Sequence, residues 1–195
     1  TSSVHSLISG GSTVPAALVN KFEEALGATF TIVFGQTECS PVASMVRPDD
    51  LAIDKATTIG GPMPHVEVKI VDPDTGLTLP TGTKGEYCTR GYHVMHEYFE
   101  MPEATARTID QDGWLHTGDI CSMDERGYCT VEGRLKDMII RGGENIYPRE
   151  IEELLFQHPT VGEVAVVGLP DERLGEVVGA FIRSAPGETP DREAL

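Results

Sequence analysis

Positive charge is scarce in this sequence: 15 Lys and Arg stand against 31 Asp and Glu in 195 residues, a formal net charge of −16. That balance excludes a general polyanion-binding face of the kind that grips nucleic acid. It leaves room for a single nucleotide, whose phosphates need only a few donors, a helix N-terminus or a metal. Long apolar runs are missing too, and none approaches the roughly 20 residues of a membrane span. The opening TSSVHSLISGG has neither the basic start nor the apolar stretch of a secretory signal. Cysteine occurs four times, at 39, 88, 121 and 129, with no C-x-x-C pair. A zinc or redox framework is therefore not expected, and scattered thiols suit a reducing, cytoplasmic setting. His93 and His96 form H-x-x-H in a polar stretch, where solvated loop histidines are the expectation over metal ligands. There is no internal repeat and no low-complexity segment.

Glycine, by contrast, is abundant at 21 residues, so tight turns are expected throughout. Hydrophobic residues make up 39% and charged residues 24%, a globular balance in a chain long enough for one or two domains. LISGG (7–11) reads as a short strand ending in a glycine turn. VPAALVNKFEEALG reads as a helix with Val14, Leu18, Phe22, Ala25 and Leu26 on one face and Gly27 as its stop. TFTIVF (29–34) is β-branched and aromatic, hence a strand. The signals then change to short strands and turns: HVEVKIVD alternates, DPDTG is a turn, and GEYCTRG, GWLHTGDI and GYCTVEGR are further strands. These make a β-rich, barrel-like segment. Beyond it, DMIIRGG is a strand into a glycine turn, and YPREIEELLFQHP is a helix with Pro148 in its first turn and Ile151, Leu154 and Leu155 on one face. VGEVAVVGLP and VVGAFIRS are strands. The fold class is mixed α/β with boundaries at 1–57, 58–134 and 135–195. The closing TPDREAL reads as the first turn of a helix, and both chain ends read as cut.

Three stretches carry chemistry. FGQTECSPV follows the strand at 29–34, and ligands of α/β sheets bind at the carboxyl ends of strands. It supplies an aromatic face, close backbone approach, a hydroxyl and a carboxylate able to take a metal; an ordinary polar loop is the competing reading. WLHTGD places Asp119 after a Thr-Gly turn, and a carboxylate at a strand end can accept both hydroxyls of a ribose; on these residues alone a turn aspartate is the stronger reading. GRLKDMIIRGGENIYPREIEELL (133–155) is dense in charge and glycine, as a boundary between two domains would be.

Taken together, FGQTE, GWLHTGD and GRLKDMIIRGGENIYPREIEEL resemble the adenylate-forming, AMP-binding enzymes. GEYCTRGYHVM, MPEATARTIDQDGWLHTGD and GGENIYPREIE resemble the fatty-acid–CoA ligase branch, and the likeness covers nearly the whole chain. It implies the end of a large α/β nucleotide-binding domain with a β-rich subdomain, then part of a small α+β C-terminal domain. It implies an acyl-CoA synthetase that joins a fatty acid to ATP as acyl-AMP, releasing diphosphate, and passes the acyl group to CoA, releasing AMP. Mg²⁺, ATP and CoA are the implied cofactor and co-substrates; a homo-oligomer stays open.

Residue by residue, the resemblance puts Gly10, Gly11 and Ser12 in the glycine turn by the adenine and acyl pocket, and Phe34, Gly35 and Gln36 in the stretch bordering adenine. It sets Thr37 near the α-phosphate, Glu38 on Mg²⁺, Asp119 and Arg134 on the ribose, Lys136 at the hinge between domains, and Gly142 and Gly143 beside the pantetheine tunnel. The family's phosphate loop would lie upstream of residue 1 and its acylation lysine beyond Leu195. Glu97 stands where the branch has Gly, which implies a different loop path, and Phe34 replaces a commoner Tyr. An adenylation domain loading a carrier protein, or a non-catalytic nucleotide-binding fragment, are the alternative readings.

Overall fold

Strand, helix and strand open the chain as the periodicity predicts: β1 (Ser6–Gly10), α1 (Ala16–Leu26) and β2 (Thr29–Phe34). The computed structural model describes residues 3–11 and 16–188, so Ser12, Val14 and the helix expected at the C-terminal end lie outside the described residues. The chain divides into two compact units, residues 1–131 and 132–195.

In the first unit β1 runs parallel to β2, Gly10 level with Val33. The short strands β3 (Ser44–Met45) and β4 (Gly61–Pro62) extend the sheet antiparallel, with α2 (Ala52–Thr57) between them. Val19, Phe30, Ile32 and Val46 form its core. The face of α1 differs from expectation: Leu18 and Phe22 are each 40% exposed and Ala25 is exposed, whereas Val19 is 1% exposed. Polar satisfaction turns the helix. Glu23, one turn after Val19, accepts the Phe30 amide at 2.8 Å and Lys55 Nζ at 3.0 Å, so these two residues define the inward side. Gly27 closes the helix as expected, at φ 60°, its amide on the Glu23 carbonyl.

A second sheet follows in the order β5 (Glu67–Val71), β6 (Gly85–Arg90), β7 (Leu115–Met123), β8 (Cys129–Arg134). The helix α3 (Pro102–Thr108) lies in the link from β6 to β7. Central strand β6 is buried from Gly85 through Thr89, the polar Glu86 and Thr89 included. Tyr87, Leu115, Cys121 and Cys129 are completely buried and pack with Ile70, Ile59, Ala43 and Cys39. The helices α2 and α3 are too short to show a helical period in the sequence.

The second unit holds β9 (Ile139–Arg141), β10 (Glu144–Ile146), α4 (Pro148–Phe156), β11 (Val161–Asp171) and β12 (Gly175–Ser184), its sheet ordered β10-β9-β12-β11. The glycine pair is the tip of a two-residue hairpin: Arg141 pairs with Glu144, and Gly142 and Gly143 sit at φ 62° and 91°. Such a turn needs positive φ at both positions, which glycine adopts without strain. Strand β10 is an addition to the sequence reading. In α4, Pro148 takes the first position as expected, but Leu154 is 68% exposed. The inward side is Pro148, Ile151, Glu152 and Leu155, spaced i, i+3, i+4, i+7, because Glu152 turns in to accept the Val166 amide at 2.8 Å. Among the described residues no helix is long and apolar enough to cross a membrane.

Candidate functional site

The parallel pairing of β1 and β2 brings two of the singled-out stretches side by side. Gly10 and Val33 are register partners, so the glycine turn after β1 and the FGQTE run after β2 leave the same edge of the sheet, where α/β sheets bind ligands. Phe34 ends β2, and Gly35 follows where a Cβ would lie 1.9 Å from the Pro41 carbonyl oxygen; only glycine lets the two backbones meet there. Thr37–Cys39 then form one 3-10 turn. Its base is the Cys39 thiol, buried and hydrogen-bonded to the Gln36 carbonyl at 3.3 Å. Thr37 is exposed and Glu38 half-buried.

Glu38 is held from the loop after β6. The Tyr98 hydroxyl donates to Glu38 Oε1 at 2.7 Å, and the Met95 amide donates to the Glu38 carbonyl at 2.8 Å. Hydrogen bonding to the carboxylate, followed by partial burial, raises the Tyr98 hydroxyl above its ordinary value, so the donor keeps its proton. No second protein partner of the carboxylate is present among the described residues. One half-open carboxylate beside an exposed hydroxyl fits Mg²⁺, which takes one or two carboxylates and completes its shell with phosphates and water.

Asp119 is 8% exposed and sits inside β7, which corrects its placement at a strand end. Between the register pairs Glu86–Ile120 and Cys88–His116, Tyr87 alone faces the three residues 117–119. Thr-Gly-Asp is therefore a bulge, and bulges re-aim side chains. Gly118 takes φ 72°. Thr117 Oγ1 donates to the Tyr87 carbonyl at 2.6 Å, Glu86 Oε1 accepts the Gly118 amide at 3.0 Å, and Glu86 Oε2 meets His116 Nδ1 at 2.7 Å. A single buried carboxylate thus holds the middle of the bulge and the residue that precedes it.

These pieces converge. Phe34 packs edge-on against Tyr87 with ring centroids 4.9 Å apart, and the Tyr87 carbonyl is the one that Thr117 binds. Burial raises the Cys39 thiol above its ordinary value, and the charges of Glu38 and Asp119 add to that shift. Tyr98, Glu86 and His116 escaped the sequence reading. The one usable signal was Glu86, an acid in a strand otherwise built for burial. His93 corrects another expectation: it is 3% exposed. Thr89 Oγ1 donates to the Glu67 carbonyl at 3.1 Å and meets His93 Nε2 at 2.9 Å, so the ring donates from Nε2. Burial lowers the His93 pKa, so it stays neutral. His96 is exposed. Glu97 is not among the residues with positive φ, so its backbone makes no demand for glycine.

In the second unit, Lys136 lies in the 3-10 turn Leu135–Asp137, Arg134 immediately precedes that turn, and Gly142 and Gly143 form the hairpin tip. Each is placed here within its own unit.

Residues 1–99 match the AMP-binding enzyme family, and residues 150–195 match the AMP-binding enzyme C-terminal domain. YngI of Bacillus subtilis (strain 168), which carries an acyl-CoA synthetase name, is 50% identical over 96% of this chain and 34% of its own length. The mitochondrial medium-chain acyl-CoA ligase ACSF2 of Danio rerio is 47% identical over 96% of this chain and 31% of its own. Among solved structures, ATP-bound MatB from Rhodopseudomonas palustris superposes with a TM-score of 0.86 at 35% identity, over 94% of this chain and 36% of that one. The chain spans about a third of the length of the curated relatives it matches. By the extent of these matches, the chain belongs to the AMP-binding enzyme family.

Proposed function

We propose that the chain is part of an AMP-forming acyl-CoA synthetase that activates a fatty acid with ATP and transfers it to CoA. The observation that carries this is the link between the end of β2 and the Thr-Gly-Asp bulge through Tyr87: Phe34 packs on its ring and Thr117 binds its carbonyl. Membership of the family and likeness to ATP-bound MatB support the nucleotide. The names of YngI and ACSF2 support an acyl acceptor chemistry ending on CoA.

On this reading Phe34, Gly35 and Gln36 border the adenine, and Gly10, Gly11 and Ser12 are assigned to the same pocket. Asp119, aimed by the bulge, accepts the ribose hydroxyls, and Arg134 is assigned to the ribose as well. Thr37 donates its hydroxyl to the α-phosphate. A carboxylate attacking that phosphate brings anion to anion, so donors fixed where charge develops lower the barrier. Glu38 would hold Mg²⁺, which when bound supplies charge neutralisation on the phosphates. Lys136 is the pivot that exchanges the adenylation set of groups for the thioester set, and Gly142 and Gly143 let backbone approach the pantetheine thiol. Four buried free thiols support a reducing compartment, the cytoplasm.

The test is ATP–diphosphate exchange by the full-length protein against a panel of fatty acids of graded length. Exchange that depends on the acid, followed by acyl-CoA formation on adding CoA, is the expected result. Absence of exchange with every carboxylate would sink the reading. The 195-residue chain alone is expected to show no acyl-CoA formation.

A further inference from the structure

Beneath the bulge, β6 and β7 bring together three ligand atoms of three kinds. Glu86 and Cys88 alternate on β6 and so share a face, and His116 is the cross-strand partner of Cys88. His116 Nδ1 lies 2.7 Å from Glu86 Oε2 and 3.4 Å from Cys88 Sγ, and the three atoms all lie within 4.8 Å of one another. Glu86 is 6% exposed and Cys88 0%, with His116 half-buried at the rim. The other ring nitrogen, Nε2, faces Asp110 Oδ2 at 3.7 Å. Asp110 is itself fixed, its Oδ1 accepting the amides of Asp112 and Trp114.

We propose that Glu86 Oε2, Cys88 Sγ and His116 Nδ1 form a three-ligand site for a divalent ion of the zinc class, with water as fourth ligand and Asp110 holding the histidine from behind. A carboxylate backing the second nitrogen of an imidazole is the usual outer partner of a metal-binding histidine. Zinc bonds of roughly 2.0–2.3 Å at tetrahedral angles set ligand pairs about 3.3–3.6 Å apart, so the 2.7 Å Glu86–His116 pair opens and any pair near the 4.8 Å limit closes, by about an ångström, when an ion enters. The sulfur and imidazole select a borderline-soft cation over Mg²⁺ or Ca²⁺. Without an ion, His116 Nδ1 faces both the carboxylate and the sulfur. Burial, then the Glu86 charge, pushes the Cys88 thiol up to about 12, and a coordinating cation reverses that preference. Binding releases the thiol proton to solvent and leaves the imidazole proton on Nε2, facing Asp110. Glu86 Oε1 stays on the Gly118 amide. The site is invisible in the sequence because its members are joined only by strand register, 28 residues apart for Cys88 and His116.

This site does not rest on the nucleotide reading, and its test needs no substrate. Cobalt(II) titrated into the chain should give a near-ultraviolet sulfur-to-cobalt charge-transfer band together with the visible bands of a tetrahedral ion, saturating at one ion per chain and displaced by zinc. Cys88→Ser should abolish the charge-transfer band with Cys39, Cys121 and Cys129 still present, and Asp110→Asn should weaken binding about 10–100-fold. The near-ultraviolet circular dichroism of Trp114 reports whether each variant stays folded. Should Cys88→Ser unfold, cadmium-113 resonance on the wild-type chain decides: a single-thiolate shift supports the site, an all-oxygen shift overturns it. No charge-transfer band at saturating cobalt, or a band that survives in Cys88→Ser, overturns it as well.

Discussion

Tyr98 donates its phenolic hydrogen to Glu38 at 2.7 Å, across 60 positions of the chain. The bond leaves one carboxylate oxygen toward the open side and fixes its direction. Tyr98→Phe removes the donor and little else. A hydrogen bond to a charged group contributes about 1.5 kcal/mol or more, so on the proposed reading diphosphate exchange in the full-length protein should fall roughly tenfold. The loss should shrink at high Mg²⁺ if the hydroxyl aims a metal-binding carboxylate. A loss equal at all Mg²⁺ concentrations would assign Tyr98 to the fold alone.

Two glycines near the site separate steric need from backbone need. At Gly118 a Cβ would meet nothing within 4 Å, and only the φ of 72° is unfavourable. Gly118→Ala should cost about 1–2 kcal/mol, the penalty of a left-handed L-residue. At Gly35 a Cβ would sit 1.9 Å from the Pro41 carbonyl oxygen, so the turn carrying Thr37 and Glu38 must open. Gly35→Ala should cost about 3 kcal/mol or more. Urea midpoints of the two variants measure the contrast, and equal losses would contradict it.

What the sequence disclosed and what it hid follow one division. Local signals were legible: the glycine stop after α1, the proline start of α4, the β-branched run of β2, and the FGQTE and HTGD stretches. Signals set by a partner distant in sequence were not. Leu18 and Phe22 have the spacing of a buried face, yet the helix turns on Glu23, whose partners Phe30 and Lys55 lie 7 and 32 residues away. Leu154 is displaced outward because Glu152 serves the Val166 amide 14 residues on. His93 looked like a loop residue because its partner, the Thr89 hydroxyl, becomes available only once β6 pairs with β5. Asp119 looked like a turn residue because a bulge is defined by the opposite strand. Apolar periodicity shows which residues can be buried; polar satisfaction decided which were.

Arg126 ties α2 to the turn between β7 and β8. Its guanidinium forks onto both oxygens of Asp54 at 3.0 and 2.8 Å and reaches Asp124 Oδ2 at 2.9 Å. The Arg126 hydrogen bonds, then its charge, hold the Asp54 carboxyl below the ordinary aspartate value. A lowered folded value means that the stabilisation is complete above the unfolded value of about 3.9 and is lost as pH falls through the folded one. Arg126→Leu should therefore lower the melting temperature at pH 7, leaving Asp54 buried and unpaired. The gap to wild type should narrow below about pH 4 and close as Asp54 protonates in both proteins. A gap unchanged from pH 7 to pH 3 would show that Arg126 acts through packing, including its place over the Tyr128 ring.

Lys136 offers the sharpest separation of the two proposed half-reactions. It is the middle residue of the 3-10 turn Leu135–Asp137, which closes with the Met138 amide on the Leu135 carbonyl at 3.3 Å. That bond does not involve the Lys136 amide, so a proline at 136 removes no donor from it, though it restricts the preceding Leu135. Proline does fix φ near −65°, which holds the turn in one geometry. If Lys136 is the pivot, Lys136→Pro in the full-length protein should leave ATP–diphosphate exchange near wild type while acyl transfer to CoA falls by an order of magnitude or more. Lys136→Ala separates the role of the ammonium from that of the backbone, since it removes the charge and leaves φ free. A pivot predicts that alanine spares thioester formation and proline does not. Equal loss of both half-reactions in the proline variant would count against Lys136 as the pivot, and loss of the thioester step in the alanine variant would assign the residue to substrate contact.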